Sequence, residues 1–589
     1  MYISELRLWN FRKYGNDEWD LTKPHLVVPF NSGTNVLIGE NDSGKSAIID
    51  AIKLVLKTHA YEWIRVEKED FYNNSDKLRI EIIFIALKDE EAKNFTEWLG
   101  WHKDDDGNNK SILRLIFQVE QKNERILPYE VKAGMDENGY SLNAEAREYL
   151  KSTYLKALRD ANSELIAKKN SRLSQILQGH ELFKKENGER HKFEEWLDET
   201  NNKIKNWFND SSKEGESKSN KEQIKDVVDI FLKAFIDETI SSNLELSEPE
   251  IKTILEKISL GIEDAKNLGL GTMNRLYMAT ELLHLKKDWN GLKLGLIEEL
   301  EAHLHPQAQM KVIEALQKET DVQFILTTHS PNLASKVDIN NLIICNNSDV
   351  YPLSDNKTKL DKKNYKFLER FLDVTKSNLF FAKGVIIVEG WAEEILIPEI
   401  AKKLGYDLTK YEVSIVNVGS TAYLHFAKIF LRNDGKELNI PVSVVTDLDI
   451  RPKDDGTFET EKENNKRDEI KTNFIDFNDS SVKLFIAKQW TLEWCLYKSD
   501  SVSELFKESV SEIHNGTDEF KKDNDSFKPE FESKFIDKLA KKAGTTTIDK
   551  VAIAGVLAEK ISTNEVFEIE ENDEYLKYII DAIKHACRV

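Results

Sequence analysis

Acidic residues follow two short apolar runs in the last third of the chain. The stretch GVIIVEGWAEE contains Glu389 and Glu393, and the stretch PVSVVTDLDI contains Asp447 and Asp449. Short runs of β-branched residues are typical of buried strands in a parallel sheet. The carboxyl ends of such strands face the crevice in which α/β proteins bind ligands. The pattern therefore predicts four carboxylates at one edge of a sheet.

These four carboxylates suggest a site for divalent metal ions. If the first strand turns into a helix at Gly390, Glu389 and Glu393 can point to one side. Asp447 and Asp449 are two residues apart at a strand end, so they are expected to share a face. Converging carboxylates repel one another unless a cation lies among them. Ligand sets made of oxygen alone favour Mg²⁺ or Mn²⁺ over zinc.

Two ions in such a cluster could catalyse the cleavage of a phosphodiester. At a separation of about 4 Å they stabilise the attacking and the leaving oxygen of the displacement. Each motif also has a simpler explanation, because E-x-x-x-E is more often a solvated helix face and D-x-D is more often a loop or turn. Their joint occurrence, each after an apolar strand, favours a metal site.

A motif near the amino terminus is typical of a nucleotide site. The stretch NVLIGENDSGKSAIIDAIKLVL contains Gly39-x-x-x-x-Gly44-Lys45-Ser46 between a predicted strand and a predicted helix, as a phosphate-binding loop requires. The glycines let backbone N–H groups surround the phosphates, and the helix N-terminus adds its partial positive charge. Lys45 is expected to reach the terminal phosphates and Ser46 to bind Mg²⁺. The motif predicts ATP as a cofactor.

Two later strands end in residues that could complete this nucleotide site. The stretch LKLGLIEELEAHLHP places Glu298 and Glu299 after an apolar run, so that one carboxylate can hold Mg²⁺ and the next can orient water toward the γ-phosphate. The stretch QFILTTHSP leads to His329, which could sense or polarise the γ-phosphate. Alone, two such glutamates are more often a solvated edge, and a single histidine is usually structural. Their order after a phosphate-binding loop favours a catalytic role.

The elements that must position these residues predict an α/β protein. Residues 1–154 alternate short strands with a helix after Gly-Lys-Ser, as in an α/β or mixed-sheet lobe. Residues 155–245 are highly charged, free of proline and apolar at helical spacing, which predicts a helical insertion. Residues 246–368 resume the strands of the first lobe. Residues 369–589 alternate parallel-type strands with segments of helix length, which predicts a second α/β domain.

The composition indicates a multidomain globular protein without a membrane segment. The chain has 589 residues, 40% of them hydrophobic, which suffices for two to four domains. Its three cysteines are far apart, which favours a reducing intracellular setting over a disulfide framework or a C-x-x-C metal motif. With no signal peptide and no apolar run of about 18 residues, the expected location is the cytoplasm. The net charge of −21 excludes a generally basic surface, although a local basic groove could still bind nucleic acid.

The succession NFRKYG, GENDSGKS, NLGLGTMNRLYMA, IEELEAHLHP and TTHSP resembles the ABC-type ATPase heads of the RecF and SMC group. The resemblance implies that Glu298 lies at the Walker B metal position, Glu299 at the catalytic glutamate and His329 at the switch histidine. The residues that it implies in ATP binding are Arg12, Gly39, Asn41, Gly44, Lys45, Ser46, Glu298 and Gly271. Because such heads sandwich ATP between two protomers, a homodimer or a higher homo-oligomer is implied.

The same resemblance identifies residues Asn267 to Asn274 as the signature segment that meets the partner's γ-phosphate. This segment includes Gly271 but lacks the usual Ser-Gly-Gly-Gln core, which places the contact between protomers in question. Leu300 stands where a proline commonly follows the two acids. No glutamine loop is obvious, and Asp70 is only a weak substitute for one.

The acidic part of the chain resembles a Toprim domain, because EG(x2)E is followed by TDLD. An ABC-type ATPase followed by a Toprim domain resembles the OLD (overcoming lysogenization defect) family of nucleases over nearly the whole chain. The resemblance implies an ATP-regulated DNA endonuclease that depends on Mg²⁺ or Mn²⁺. It implies that Glu389, Glu393, Asp447 and Asp449 are metal ligands.

The family also implies roles for two later residues. Glu493, in the TLE sequence after KLFIAKQW, lies where the family supplies a ligand of the second metal. Lys550, in IDKVAIAGVLAEKI, resembles a late lysine that stabilises phosphate charge in the transition state. Lys541 and Lys542 lie nearby as alternatives, and a lysine before an apolar helix is often simply solvated.

Further partners and the biological role are implied by the family alone. Residues 155–245 are implied to be a dimerisation element, and DNA is the implied substrate. The resemblance extends to effectors of phage defence, including the large Gabija subunit and proteins encoded beside some retrons. A helicase-like subunit, or a retron reverse transcriptase with its DNA, is therefore an implied partner.

Two other functions fit part of the pattern. One is an ATP-gated DNA-binding clamp or sensor whose Toprim domain binds without cutting, although the intact acids favour cutting. The other is a Toprim topoisomerase or primase. A topoisomerase needs an attacking tyrosine in a partner domain, a primase generally carries a zinc module, and no such module is recognisable in the sequence.

Overall fold

The structure is a computed structural model whose strands form sheets of eight, six, four and two strands in the part of the chain that it describes. The described residues are 1–60, 64–103, 107–123, 125–156, 164–183, 190–211, 218–235, 241–246, 248, 250–265, 268–283, 285, 291–419, 422–453, 457–477, 480–541 and 546–589. No helix among them is both long and apolar enough to span a bilayer.

The strands are numbered in chain order. They are β1 (Tyr2–Trp9), β2 (Leu26–Pro29), β3 (Thr34–Ile38), β4 (Lys77–Ile85), β5 (Leu99–Lys103), β6 (Asn109–Lys122), β7 (Arg125–Ile126), β8 (Val131–Ala133), β9 (Tyr140–Ser141), β10 (Thr153–Leu155), β11 (Leu294–Ile297), β12 (Gln323–Thr328), β13 (Leu342–Asn346), β14 (Asp349–Pro352), β15 (Gly384–Val388), β16 (Val413–Asn417), β17 (Val442–Thr446), β18 (Val482–Ile486), β19 (Lys522–Asp523) and β20 (Ser526–Phe527).

Helices connect and cover these strands. The α-helices are Lys45–Leu56, Asp89–Ala92, Ala144–Glu148, Arg172–Gln178, Lys192–Asn209, Asn220–Phe235, Ile251–Leu255, Leu270–Leu282, Pro306–Gln317, Pro331–Ala334, Lys362–Phe371, Trp391–Lys403, Tyr423–Ala427, Thr460–Asn473, Leu492–Lys498, Ser503–Ile513, Phe531–Leu539, Lys550–Thr563 and Lys577–Cys587. The 3₁₀ helices are Lys68–Asp70, Tyr72–Asn74, Lys93–Phe95, Glu181–Phe183, Ile339–Asn341, Lys376–Phe380, Lys428–Phe430, Ile475–Phe477 and Asp518–Phe520.

The six-stranded sheet positions the phosphate-binding loop. Its order is β10-β11-β12-β3-β13-β14, and only the pairing of β13 with β14 is antiparallel. Strand β3 is buried along its whole length, as expected for a strand covered on both faces. Since β3, β11 and β12 are parallel, their carboxyl ends meet at one edge. The antiparallel strands β1, β2, β4, β6, β8 and β9 form the central path of the eight-stranded sheet.

Helices occupy the chain between neighbouring strands β10 and β11. Three of them, Arg172–Gln178, Lys192–Asn209 and Asn220–Phe235, lie within the stretch for which the sequence predicts a helical insertion. These three segments are helical in the structure. Because β10 and β11 pair directly, the helical segment leaves and re-enters the same sheet.

The four-stranded sheet positions the acidic residues. Its order is β16-β15-β17-β18, and all its pairings are parallel. Strands β15 and β17 are adjacent and fully buried, so the residues that follow them meet at the same edge. One apolar core contacts both this sheet and the six-stranded sheet, with Val36 and Leu326 on one side and Val385 and Val444 on the other.

Candidate functional site

The phosphate-binding loop depends on two glycines with left-handed backbone angles. Gly39 has a φ of 144°, and a Cβ there would lie 2.3 Å from the carbonyl oxygen of Cys345. Gly44 has a φ of 104° and precedes helix Lys45–Leu56, and a Cβ there would lie 1.9 Å from the hydroxyl oxygen of Tyr14. Neither position has room for a side chain, so the loop approaches its neighbours closely.

The side chain of Lys45 forms hydrogen bonds with this loop. Its Nζ atom donates to the carbonyl oxygens of Gly39 (2.9 Å) and Glu40 (2.5 Å) and to Ser43 Oγ (3.2 Å). Burial lowers the pKa of Lys45, and the negative charges of Glu299 and Glu301 oppose that shift. The ammonium group therefore lies where a polyphosphate would meet the loop. Asn41 and Ser46 are exposed on the same turn.

The two glutamates that follow β11 have different surroundings. Glu298 accepts a hydrogen bond from the hydroxyl of Tyr154 (3.0 Å), and burial raises its pKa. Glu299 is exposed, has a φ of 43°, and donates its backbone N–H to Thr327 Oγ1 (3.0 Å). A left-handed glutamate is uncommon, and this bend turns the second carboxylate away from the path of the strand.

His329 follows β12, which lies between β3 and β11. Its backbone N–H donates to Glu301 Oε1 (2.6 Å), and Thr328 Oγ1 donates to Glu301 Oε2 (2.8 Å). Burial and the positive charge of Lys45 lower the pKa of His329, which favours the neutral imidazole. Glu301, which the sequence analysis did not single out, thus ties the histidine to the loop that carries Glu298 and Glu299.

Arg12 borders a cavity of about 460 Å³ beside the phosphate-binding helix. Its guanidinium donates to Asp50 Oδ2 (2.8 Å) and to Asp70 Oδ1 (2.9 Å). Burial opposes the charge of Arg12, but the two aspartates raise its pKa. Asp70, weighed as a substitute for a glutamine loop, is placed by the structure as a partner of Arg12.

Gly271 lies in the first turn of helix Leu270–Leu282, whose N-cap is Gly269. A Cβ at Gly271 would lie 2.8 Å from the carbonyl oxygen of His303, in the loop after β11. The start of this helix therefore contacts the loop that carries the two glutamates. Asn267, the first residue of the predicted signature segment, lies outside the described residues.

At the second edge, the predicted strand-to-helix turn at Gly390 is present. Glu389 directly follows β15, Gly390 is the N-cap of helix Trp391–Lys403, and Glu393 lies in the first turn of that helix. Thr446 Oγ1 donates to Glu389 Oε1. The Glu393 side chain is 9% exposed. The two glutamates thus come from opposite ends of one turn and enter a common, mostly buried region.

The sequence suggested that Asp447 and Asp449 share a face of an extended strand. In the structure they do not. Strand β17 ends at Thr446, and the N–H groups of Leu448 and Asp449 both donate to the carbonyl oxygen of Trp490 (3.0 and 2.8 Å). Asp449 has a φ of 57° and is exposed. The alternation of side chains requires extended backbone, and the chain has already turned at this point.

Because the chain turns here, the two aspartates have different charged neighbours. The negative charges that act most strongly on Asp447 are those of Glu493, Glu393 and then Glu389. Asp449 instead acts on Glu389 and on Tyr423. The acids therefore form two overlapping groups that have Glu389 in common.

Glu493 and Lys550 join the acids from two further helices. Glu493, 3% exposed, lies in the first turn of helix Leu492–Lys498 and accepts hydrogen bonds from Thr491 Oγ1 (2.8 Å) and Lys550 Nζ (2.7 Å). Lys550 begins helix Lys550–Thr563. Of the alternatives to Lys550, Lys541 is exposed after helix Phe531–Leu539, and Lys542 lies outside the described residues.

Burial makes this region unfavourable for uncompensated negative charge. It raises the pKa of Glu389 and of Asp447, and it raises the pKa of Glu393 to about 7, with further contributions from neighbouring carboxylates. Burial alone would lower the pKa of Lys550, but the charge of Glu493 and their hydrogen bond raise it. Lys550 therefore supplies one positive charge to a cluster of several acids.

The donor set fits a hard divalent cation, although the acids are not arranged around one. Among the described residues, no group of three or more His, Cys, Asp or Glu side chains is arranged to hold a metal ion. Instead, the carboxylates accept hydrogen bonds from protein donors. Thr446 donates to Glu389, the N–H of Leu492 donates to Asp447 (2.9 Å), and Lys550 donates to Glu493.

A buried hydroxyl near the acids supports the same fit. Tyr578 is 8% exposed, and its Oη atom has no hydrogen-bond partner in the described part of the chain. The charges of Asp447, Glu393 and Glu493 act on this group. Since buried hydroxyls are normally satisfied, the unpaired group indicates space for a bound water or ion.

Four residues of these sites were not predicted from the sequence. Each is a single polar residue that interacts with predicted site residues or their neighbours, and no spacing rule distinguishes it. They are Tyr154, Glu301, Thr446 and Tyr423. Thr446 and Glu301 lie within the quoted stretches PVSVVTDLDI and LKLGLIEELEAHLHP, so their position in these stretches was the only available signal.

Two family models match separate parts of the chain. Residues 1–334 match the model described as AAA ATPase domain, and residues 380–449 match the model described as Overcoming lysogenization defect protein-like, TOPRIM domain. The predicted fold class, an ABC-type ATPase head followed by a Toprim domain, is confirmed.

The chain is also similar to curated relatives that are named as nucleases or as an ATPase. Endonuclease GajA of Bacillus cereus is 23% identical over 615 aligned positions, which cover 86% of this chain and 87% of that protein. OLD nuclease of Thermus scotoductus is 26% identical over 265 positions, which cover 42% of this chain and 47% of that protein. Retron Ec83 probable ATPase of Escherichia coli is 33% identical over 111 positions, which cover 19% and 18%.

Proposed function

Because this chain belongs to the AAA ATPase domain family and carries an OLD-like TOPRIM domain, we propose that it is an ATP-regulated, divalent-metal-dependent DNA endonuclease. The observation that carries the proposal is the meeting of Glu389, Glu393, Asp447, Glu493 and Lys550 at one edge of the four-stranded parallel sheet. The names of the relatives GajA and OLD nuclease support the same reaction class.

The acids would hold two Mg²⁺ or Mn²⁺ ions in the two groups described above. Glu389 and Asp449 belong to one group, Asp447, Glu393 and Glu493 belong to the other, and Glu389 is common to both. When bound, the ions activate the attacking water and stabilise the leaving oxygen of a phosphodiester. Binding would draw Asp447 and Glu493 away from their present donors, Leu492 N–H and Lys550 Nζ.

Lys550 has a defined part in this proposal. Its ammonium group is half-exposed and lies 2.7 Å from Glu493. If a cation takes over Glu493, the same group becomes available to a phosphate oxygen at the edge of the sheet. A positioned ammonium stabilises the negative charge that develops in the transition state of phosphoryl transfer.

The phosphate-binding loop supports regulation by ATP. Lys45 would leave the carbonyl oxygens of Gly39 and Glu40 for the nucleotide phosphates, and Ser46 and Glu298 would hold Mg²⁺ there. Glu299 would orient the attacking water, and His329 would meet the γ-phosphate. Through Glu40, the loop also reaches Lys383 (3.7 Å), which precedes strand β15 and pairs with Glu412 (2.8 Å).

Exposed apolar side chains on the inserted helices support a homodimer. Five of them are more than half exposed, and they are Trp196, Trp207, Val227, Ile230 and Phe231. Apolar surface of this kind marks a site of protein association. We expect light scattering to give the mass of at least two chains for the wild type and of one chain for a Val227→Asp, Phe231→Asp double variant. A single-chain mass for the wild type would refute the dimer.

A cleavage assay on supercoiled plasmid tests the nuclease, with Mg²⁺ or Mn²⁺ and with or without ATP. Glu393→Gln is expected to lower the cleavage rate by about 10²- to 10³-fold, as loss of a group that stabilises a transition state does. Glu394→Gln is the matched control, because Glu394 lies on the same helix but bonds to Asn417 (2.8 Å). Absence of cleavage by the wild type under all of these conditions would favour the ATP-gated clamp over the nuclease, and equal cleavage by the wild type and Glu393→Gln would exclude the proposed role of Glu393.

A role in phage defence is the broader part of the proposal. The matched TOPRIM family is described by a lysogenization phenotype, and one relative is a retron ATPase. We expect cells that express the chain with its neighbouring genes to resist phages, and cells that carry Glu393→Gln to lose this resistance. Co-purification would identify a helicase-like or reverse-transcriptase partner. Equal plaque counts with the two alleles would contradict the defence role.

A further inference from the structure

Trp391 is an exposed tryptophan in the turn that carries the first two acids. It is 63% exposed and is the first residue of helix Trp391–Lys403, between Glu389 and Glu393. A Cβ at Gly390 would lie 3.1 Å from Glu393 Oε2, so this carboxylate folds back onto the residue that precedes the tryptophan. The indole therefore shares one turn with two of the acids, at the edge of the four-stranded sheet.

The indole contributes little to the core of the domain. The same helix buries Ala392, Leu396 and Ile400 in the apolar core beneath it, whereas Trp391 faces solvent. In the part of the chain that the structure describes, the indole N–H makes no hydrogen bond and the ring contacts no other aromatic ring. Tryptophan is highly buried on average, and its N–H usually finds a partner when it is buried. Trp391 is thus free to meet a ligand of the acidic site.

Further apolar surface and positive charge border the same edge. Val551 is 46% exposed and directly follows Lys550, in a helix that packs against helix Trp391–Lys403. Lys550 Nζ donates to Glu493 (2.7 Å), so this second helix also begins at the acids. Arg451 is exposed just beyond the turn that follows β17. Proteins hold single strands of nucleic acid with the same combination of an aromatic face and nearby cations.

A phosphodiester held at the acids brings a base within reach of the indole. The Cα atoms of Trp391 and Glu389 are two residues apart and therefore at most about 7 Å from each other. Successive nucleotides along one DNA strand are spaced by about 3.4 Å. In an intact duplex, the neighbouring bases cover both faces of each base. An indole can therefore stack only on a base that is unpaired, that ends a strand or that has turned out of the helix.

We propose that Trp391 stacks on a base next to the scissile phosphate, and that the acidic site therefore prefers DNA in which this base is unstacked. The proposal deepens the proposed nuclease function and rests on it. Stacking on an aromatic side chain tolerates every base, because each base has a π-face. The cost of unstacking is smallest for a base that is already single-stranded or mismatched. The preference thus concerns the conformation of the DNA and not its sequence.

The first test measures cleavage of a labelled single strand and of the same strand in a fully paired duplex, with full-length protein and Mn²⁺. We expect the wild type to have the lower KM for the single strand. Trp391→Ala is expected to raise this KM by about 5- to 100-fold, as loss of one base–aromatic stack does. The KM for the duplex and kcat should stay near their wild-type values. Trp391→Phe, which keeps an aromatic face, should retain most of the preference.

A second measurement reports stacking without cleavage. The single strand carries 2-aminopurine, whose fluorescence falls when its ring stacks on an aromatic side chain. Glu393→Gln protein, which is expected to cut slowly, should quench this fluorescence when the base analogue occupies the position next to the acids. The Glu393→Gln, Trp391→Ala double variant should bind the strand without this quenching.

Trp101→Ala is the matched control, because Trp101 is 70% exposed on β5 of the eight-stranded sheet. An unchanged KM for the single strand in Trp391→Ala would overturn the stacking role, as would an equal rise in Trp101→Ala or an equal rise for the duplex. A lower mass of Trp391→Ala in light scattering would overturn it by assigning the indole to an interface between chains. A wild type that cuts neither substrate would refute the nuclease, and the quenching measurement would then decide whether Trp391 stacks on bound DNA.

Discussion

The nucleotide site and the acidic site have the same construction and opposite charge. Each lies where parallel, fully buried strands end, and in each a helix begins within a few residues of the strand. At the first site, glycines clear the approach and Lys45 provides a buried positive charge. At the second site, several carboxylates converge around the single ammonium group of Lys550.

This difference shows what each level of structure contributes. Parallel strands bring distant residues to one edge, but they do not determine what binds there. An edge with backbone N–H groups and a lysine attracts phosphate, whereas an edge rich in buried carboxylates requires a cation. Two copies of one architecture can therefore hold the two ligands that a nucleotide-regulated nuclease needs.

The largest effect is expected from a substitution at the acidic site, which tests whether the two sites act independently. Asp447→Asn removes a charge that lies among Glu389, Glu393 and Glu493 but keeps an oxygen for the N–H of Leu492, so the fold is preserved. We expect plasmid cleavage to fall by about 10²- to 10³-fold. ATP hydrolysis should change by less than about twofold, because distant sites act independently. A parallel loss of ATP hydrolysis would show that the sites are not separate.

The converse variant acts on the nucleotide side. Lys45→Ala removes the ammonium group that is proposed to meet the phosphates, and we expect ATP hydrolysis to fall by about 10²-fold. Mn²⁺ binding at the acidic site should persist when it is measured by calorimetry without nucleotide. Lys57→Ala is the control, because Lys57 lies past the other end of the same helix and donates to the carbonyl oxygen of Ile64 (2.8 Å). Loss of Mn²⁺ binding in Lys45→Ala would contradict this division.

The sequence could predict the strand ends because they depend on local patterns. The runs before Gly39, Glu298, Glu389 and Asp447 are short, apolar and bounded by polar residues, and each forms a buried strand in the structure. The turn at Gly390 was equally local. These features need only the periodicity of strands and the conformational freedom of glycine.

The sequence could not predict the contacts between distant segments. The error at Asp449 arose because the backbone of Trp490, forty residues later, accepts both N–H groups of the turn. Tyr423 and Glu301 were missed because single polar residues acquire a role only when packing brings them to a partner. Long-range hydrogen bonds of this kind follow from the fold and leave no spacing pattern in the chain.

The two sites meet in a contact that neither motif suggested. Lys383 lies immediately before β15 and pairs with Glu412 (2.8 Å) and with Glu40 of the phosphate-binding loop (3.7 Å). The carbonyl oxygen of Glu40 also holds Lys45 (2.5 Å). If ATP draws Lys45 away, as proposed, the loop would lose a bond at Glu40, whose side chain contacts the residue before β15. The ion pair would then offer a route by which nucleotide binding reaches the acidic site.

The smallest expected effect tests this route. The Lys383 side chain is 52% exposed, and exposed ion pairs contribute little to stability, so the expected coupling is small. We expect Lys383→Ala to reduce the ratio of cleavage rates with and without ATP by about two- to fivefold, with ATP and Mn²⁺ affinities unchanged. Lys410→Ala, an exposed lysine on the same cavity, should leave the ratio intact. If both variants retain the wild-type ratio, the ion pair does not couple the sites.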